Sequence, residues 1–310
     1  MQFSIYRIFP GILFSFIIAY IGIYMSSFIG SGLFNLNKSP ISPIMLSIII
    51  GLMIGNIIKI PSIFSEGIKF TLKFILRLGI VCLGIRLGFL DILKVGMIGI
   101  PLIIACIIIS ILLVNYFCKL LNVPSKIGSL IAVGTSICGA SAIVATSPAI
   151  NANKEEVTYA IANITIFGII AMFFYPFLAH YLFDSDELSI GLFLGTSIHE
   201  TAQVAGAGLI YSEQYNSPTT MDIATVTKLV RNISMIVVIP LISFLYLKNN
   251  VDKKNNKPSI LSMFPIFIIG FIVMGVIRSI GDYGIQSYDQ AFGIFFNDQW
   301  QLIIYYIKLV

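Results

Sequence analysis

Long apolar runs separated only by short polar knots leave this chain few ways to fold. A bilayer core of about 30 Å takes about 20 apolar residues per helix. With no water there to satisfy the backbone, only helices or closed barrels can cross it. Runs near 10–29, 42–58, 70–90, 96–117, 127–150, 157–182, 188–211, 222–247 and 259–277 fit a helical crossing. A partial run, 299–310, is too short to cross, which predicts either a surface segment or an incomplete C-terminal part. The predicted fold class is an all-α polytopic membrane protein, one integral membrane domain over 1–310 with about 9–10 transmembrane helices. The first run lacks a small-x-small cleavage site and is read as a span that stays in the membrane.

Charge supports the same class. Only 11% of residues are charged, against about 25% in soluble domains. If the N-terminus is cytoplasmic and each run crosses once, Arg7, Lys59, Lys69, Lys73, Lys119, Lys126, Lys248, Lys253, Lys254 and Lys257 share one side, and Lys38, Lys94, Lys154 and Arg278 the other. That bias follows the positive-inside rule and predicts a cytoplasmic N-terminus. The net charge of +5 therefore needs no nucleic-acid partner. The polar stretches 248–259, a basic loop, and 278–290 are too short to hold a core of their own. Cys82, Cys106, Cys118 and Cys138 lack CxxC spacing and read as packing residues. Two GxxxG pairs, Gly51 with Gly55 and Gly84 with Gly88, predict close helix contacts.

Two segments echo each other: GTSICGASAIVATSPAI at 134–150 and GTSIHETAQVAGAG at 195–208. Both open with Gly-Thr-Ser-Ile and continue through small residues. Such composition suits a helix that is broken, closely crossed or lining a wet cavity. Two discontinuous small-residue helices are expected, and the echo raises an inverted repeat.

Ionisable side chains at mid-membrane cost at least ~2.5 kcal/mol on insertion scales and call for a reason. His199 and Glu200 are the first such group. Thr196, His199 and Gln203 fall at i, i+3 and i+7 and so share one helical face, with Glu200 about 100° round. A His-Glu pair evokes a zinc protease, but the fifth position of His-Glu-x-x-His is here Gln203, so no metal is expected. In TVTKLVRN, Lys228, Arg231 and Asn232 share a face suited to an anion. Arg77 and Arg86 read as snorkelling toward opposite interfaces. Thr135, Ser136, Ser141, Thr146 and Ser147, with Asn163 and Thr165, offer hydroxyls that can cradle an oxyanion beside a half-helix N-terminus, and Pro148 can end that segment.

GTSICGASAI, GTSIHETAQVAGAG, TKLVRN and LRLGIVCLGIRL at 76–87 together resemble the YeiH-type family of bacterial inner-membrane proteins, named for sulfate export. The resemblance implies a multi-pass protein of the bacterial inner membrane. It also implies kinship with sodium/proton antiporter and bile-acid symporter folds, in which two discontinuous helices cross near the midplane. Members usually continue past the position of Val310.

The expected function is a secondary transporter moving a small anion, with sulfate or another sulfur oxyanion implied by the resemblance. Thr135, Ser136, Ser141, Thr196, Gln203, Lys228, Arg231 and Asn232 would bind it, and His199 and Glu200 would couple it to protons. A sodium/proton cation antiporter is the alternative, and a membrane-embedded enzyme a more distant one. No nucleotide-binding GxxxxGK[ST] motif is present. The expected partners are the anion, protons or sodium and the lipid bilayer, with a homo-oligomer left open; no cofactor is expected.

Overall fold

The computed structural model describes residues 5–33, 39, 41–249 and 267–308. Lys38, Lys253, Lys254, Lys257, the first part of the expected 259–277 span and Val310 lie outside the described residues. Local sequence sets the boundaries. Ser42 accepts from Met45 N ahead of α2 (Pro43–Ile57), whose first residue is the proline that tolerates a missing N–H. Asn153 and Glu156 form a capping box before α8 (Lys154–Leu182). Asp186 accepts from Ser189 N at the start of α9 (Glu187–Ser197).

The chain begins with α1 (Ile5–Ser27), extended by a π-turn over Phe28–Leu33, and returns through α2. Next, α3 (Ser62–Phe70), a π-segment Thr71–Ile75, α4 (Leu76–Leu83) and a 3-10 turn Gly84–Arg86 follow without a gap as one rod. Then α5 (Phe89–Leu120) runs for 32 residues, about 48 Å of helix, more than one bilayer thickness.

The two small-residue segments are broken, as expected, and they also turn back. The first comprises α6 (Ser125–Ser136) and α7 (Ala140–Thr146). Its ends meet, for Lys126 Nζ donates to Asn151 O at 2.9 Å. The second comprises α9 and α10 (Thr201–Tyr215), and Ser217 Oγ donates to Glu187 Oε1 at 2.5 Å across its base. Each is a re-entrant hairpin, so the expected single crossings at 127–150 and 188–211 are corrected. The physical reason is the break itself: Gly139 adopts φ +65°, and Ile198 and Glu200 are extended.

The hairpins enter from opposite ends of the bundle. The N-terminal half of α8 (Ala160, Ile164) packs with Leu130 and Ile143 of the first hairpin. Its C-terminal half (Ala171, Met172, Ala179) packs with Ile190, Ile210 and Tyr211 of the second. Hairpin-then-helix thus occurs twice in inverted orientation, with α11 (Pro218–Ile233) and α12 (Met235–Asn249) following the second hairpin as α8 follows the first. The two are bent by 43°. They run beside α5: Ile92 packs with Val226 and Leu229, while Ile103 and Ile107 pack with Val238 and Ile242.

The chain continues as α13 (Phe267–Tyr288), the strands β1 (Gln290–Ala291) and β2 (Phe295–Phe296), and α14 (Asn297–Lys308). By length and composition alone, Tyr6–Gly32, Phe89–Leu120, Lys154–Leu182 and Phe267–Tyr288 can each cross a membrane, and the bent pair α11–α12 adds a fifth. Large apolar side chains cover their outer faces, among them Leu112 of α5 and Phe174 of α8.

Two packing expectations need correction. A Cβ on Gly51 or Gly55 would meet nothing described within 4 Å, so no close helix contact forms there, whereas Gly84 lies against the Phe271 carbonyl. Arg86 does not snorkel: its Nε sits 2.8 Å from Asp222 Oδ1, and it ties the rod of α4 to the start of α11. Arg77 lies over the Phe267 ring at 5.8 Å.

Candidate functional site

The hairpin tips meet near the middle of the bundle. At the first tip Gly139 turns the chain in a backbone region that L side chains rarely adopt. A Cβ there would stand 2.6 Å from Glu200 Cγ. At the second tip the helix stops at Ser197 and restarts at Thr201. Thr196 and Gln203 therefore belong to different helices, and the single polar face expected for Thr196, His199 and Gln203 does not form.

Close packing brings α11 to both tips. Cβ atoms on Gly191 and Gly195 would stand 2.6 Å from the Ile223 and Thr227 Cβ atoms, so α9 and α11 touch backbone to backbone. Lys228 is fully buried. Its Nζ donates to Ile137 O at 2.9 Å, Ile198 O at 2.8 Å and His199 O at 2.5 Å. Arg231, 2% exposed, donates from Nε to Ser136 O at 2.9 Å and from Nη2 to Thr135 O. Its Nη1 donates to Thr196 O at 2.6 Å and Ile198 O at 3.4 Å.

These carbonyls end α6 and α9, where no helical N–H remains to bond them and partial negative charge collects. Both cations bridge both hairpins. Thr135, Ser136 and Thr196 contribute carbonyl oxygens to this arrangement, while the hydroxyls of Ser136 and Thr196 bond back to Val133 O and Leu192 O. Thr146 and Ser147 likewise bond back, to Ala142 O and Val144 O, and Ser141 is exposed.

The opposite polarity gathers at the other half-helix ends. Glu200 is the N-cap of α10 and forms a capping box with Gln203, its N–H donating to Gln203 Oε1 at 3.2 Å. Gln203 Nε2 reaches Thr165 O at 3.3 Å, fixing the tip to α8. Glu200 Oε1 accepts from Ala140 N of the first hairpin at 3.4 Å. Asn232 Nδ2 donates to Thr201 Oγ1 at 3.0 Å. Three buried polar atoms have no hydrogen-bond partner among the described residues here: His199 Nδ1, Asn232 Oδ1 and Thr227 Oγ1. Buried polar atoms left unpaired cost about 1–3 kcal/mol each, so such a cluster marks a place that a ligand or water completes.

Of the residues singled out from sequence, the structure brings Thr135, Ser136, Thr196, His199, Glu200, Gln203, Lys228, Arg231 and Asn232 together. Ser141 stands apart from this hydrogen-bonded network. Sequence reasoning missed Gly139 as the partner of Glu200, and Thr201 and Thr227. Thr201 was legible in one respect: a Thr beside a Glu just after a small-residue break is a helix-start signal.

Two opposed re-entrant hairpins, crossed tip to tip and tied by buried cations from a neighbouring helix, define a polytopic membrane protein of the discontinuous-helix class. The chain belongs to the family described as Conserved hypothetical protein 698, whose model matches residues 10–290. A UPF0324 membrane protein of Streptococcus agalactiae serotype V is 34% identical over 271 residues, 87% of this chain and 77% of the relative. One of Fusobacterium nucleatum is 36% identical over 244 residues, 78% and 69%. One of Pasteurella multocida is 36% identical over 250 residues, 79% and 71%. No solved structure matches the chain.

Proposed function

We propose that the chain is a secondary transporter for a small anion, coupled to protons, with no catalytic role. The observation that carries this reading is the electrostatic arrangement of the crossing. Lys228 and Arg231 cancel the negative helix ends. The positive end of α10 then stands beside the unpaired ring nitrogen Nδ1 of His199. Two cations, two negative helix ends of about −0.5 each and the Glu200 carboxylate come close to balance, so the positive start of α10 tips the crossing positive, which favours an anion. Hairpins entering from opposite ends give that anion a path from each side in turn.

The anion is a small oxyanion, with sulfate the first to try on the strength of the family likeness. The basic residues fit a cytoplasmic N-terminus in a bacterial plasma membrane. Because the first hairpin turns back, Lys154 moves to the same end as Arg7, Lys59, Lys119 and Lys126. The test is thermal stability of purified protein against a panel of oxyanions, followed by flux in sealed vesicles. A ligand at 100 times its Kd adds about 2.7 kcal/mol of stability. Stabilisation by an oxyanion with flux only across a sealed membrane supports transport; turnover in detergent supports an enzyme.

One observation favours a sodium-coupled variant. Asn232 Oδ1 is unpaired on a side chain bonded to the Thr201 hydroxyl, and both are oxygens of the kind a hard cation takes, with Glu200 next in sequence. Stabilisation by sodium in oxyanion-free buffer would support it.

A further inference from the structure

Glu200 forms the one direct side-chain hydrogen bond between the two hairpins among the described residues, accepting from Ala140 N at 3.4 Å. All other polar links between the tips pass through Lys228 and Arg231 of α11. The side chain fills the space that Gly139 leaves empty, and the two positions correspond in the repeat: Cys138-Gly139 follows one Gly-Thr-Ser-Ile, His199-Glu200 the other. The second hairpin therefore carries an acid exactly where the first carries none, and the acid is lodged against its counterpart.

The groups nearest that carboxylate are Lys228 of α11 and, from the first hairpin, Cys138 and the Ala140 N–H; His199 precedes it at the same tip, and Arg231, one turn on from Lys228, is bonded to carbonyls of both tips. The next acids along the second hairpin, Glu187 and Glu213, lie at its open end. The crossing thus holds one anionic side chain, seated on the Ala140 N–H beside the charge of Lys228, whose own N–H groups are taken up by backbone carbonyls.

We propose that Glu200 is a built-in occupant of the anion site: its ionised carboxylate and a substrate oxyanion compete for the Ala140 N–H and the positive charge beside it, so the anion enters as Glu200 takes up a proton. This rests on the anion-transport reading above and gives its coupling a cause. One proton from bulk water binds the carboxylate for each anion admitted, and it leaves when the anion leaves. Protonation also weakens the Glu200 link between the hairpins at the moment when one tip has to move.

The test is calorimetric titration of the full-length protein in detergent with sodium sulfate from pH 5.5 to 8.5, in two buffers of different ionisation enthalpy. Wild type is expected to lose about tenfold in apparent affinity per pH unit above the titration of Glu200, because only the protonated fraction binds. It should also take up one proton per anion at the alkaline end. Glu200→Gln should bind sulfate with no pH dependence and no proton uptake, at least as tightly as wild type at acid pH. His199→Gln should keep the wild-type slope. Undiminished pH dependence in Glu200→Gln, or its loss in His199→Gln, overturns the competition and assigns the proton to the imidazole. Binding by wild type without proton uptake overturns it even if Glu200→Gln does not fold. Failure of sulfate and every other oxyanion to bind wild type and Glu200→Gln alike overturns the anion reading itself.

Discussion

Gly139 and Glu200 face each other across the two hairpin tips, so closely that a single added carbon on Gly139 would stand 2.6 Å from Glu200 Cγ. The contact exists because residue 139 has both a positive φ and no side chain. Gly139→Ala meets two penalties: backbone strain of order 1–3 kcal/mol and a clash with Glu200. The thermal midpoint in detergent should fall by several degrees and transport should be lost. A stable, active Gly139→Ala protein would show that the tips are not held in this contact.

Lys228→Met leaves the Ile137 and His199 carbonyls without a donor and the Ile198 carbonyl with only the 3.4 Å contact from Arg231. At about 1–3 kcal/mol for each unpaired buried group, the loss is enough to prevent folding or to reduce the yield of monodisperse protein severely. Arg231→Lys keeps the charge but not the planar fork that reaches four carbonyls, and is expected to give an intermediate defect. If either variant folded as stably as wild type and lost only anion binding, the cations would be ligands for substrate and not ties between hairpins.

Asn232→Ala separates fold from ligand. It removes one hydrogen bond to Thr201 and one unsatisfied oxygen together, a near balance, so stability should change by within about 1 kcal/mol. Because the oxygen removed is an acceptor, any stabilisation conferred by sodium should shrink or vanish while that conferred by an oxyanion persists. Loss of the oxyanion's stabilisation instead would show that the Asn232 amide turns an N–H to the anion.

Topology is open to direct labelling. In a cysteine-free background, Ser125→Cys and Glu155→Cys, both exposed, should react with an impermeant reagent from one side of the membrane, and exposed Thr219→Cys from the other. A chain in which 127–150 crossed once would place Ser125 and Glu155 on opposite sides.

The membrane class was legible in the sequence because apolar run length is a local property. So were the two broken segments, since Gly, Ser and Ala density records a backbone that needs room. Nothing local told a crossing from a hairpin. An α6–α7 segment of hydrophobic length reads the same whether Asn151 ends up across the bilayer or beside Lys126. The site residues were found largely by their cost: His199, Glu200, Lys228 and Arg231 stand out because a membrane resists them. Their roles were not readable, because an unbonded carbonyl at a helix end leaves no mark in composition. The cations were therefore expected to face an anion, whereas Lys228 donates to Ile137, Ile198 and His199 carbonyls. Gly139 lies in a small-residue run, but its partner is sixty-one positions on in sequence and only the fold brings it near.

The ties from α11 to the first hairpin also set an order of biosynthesis. The carbonyls of Thr135, Ser136 and Ile137 find their donors 91 to 96 residues later in the chain. While the ribosome is still making the second hairpin, the first is already in or near the lipid with its tip unfinished. A chain halted before residue 228 therefore holds a first tip whose carbonyls lack the donors that close it.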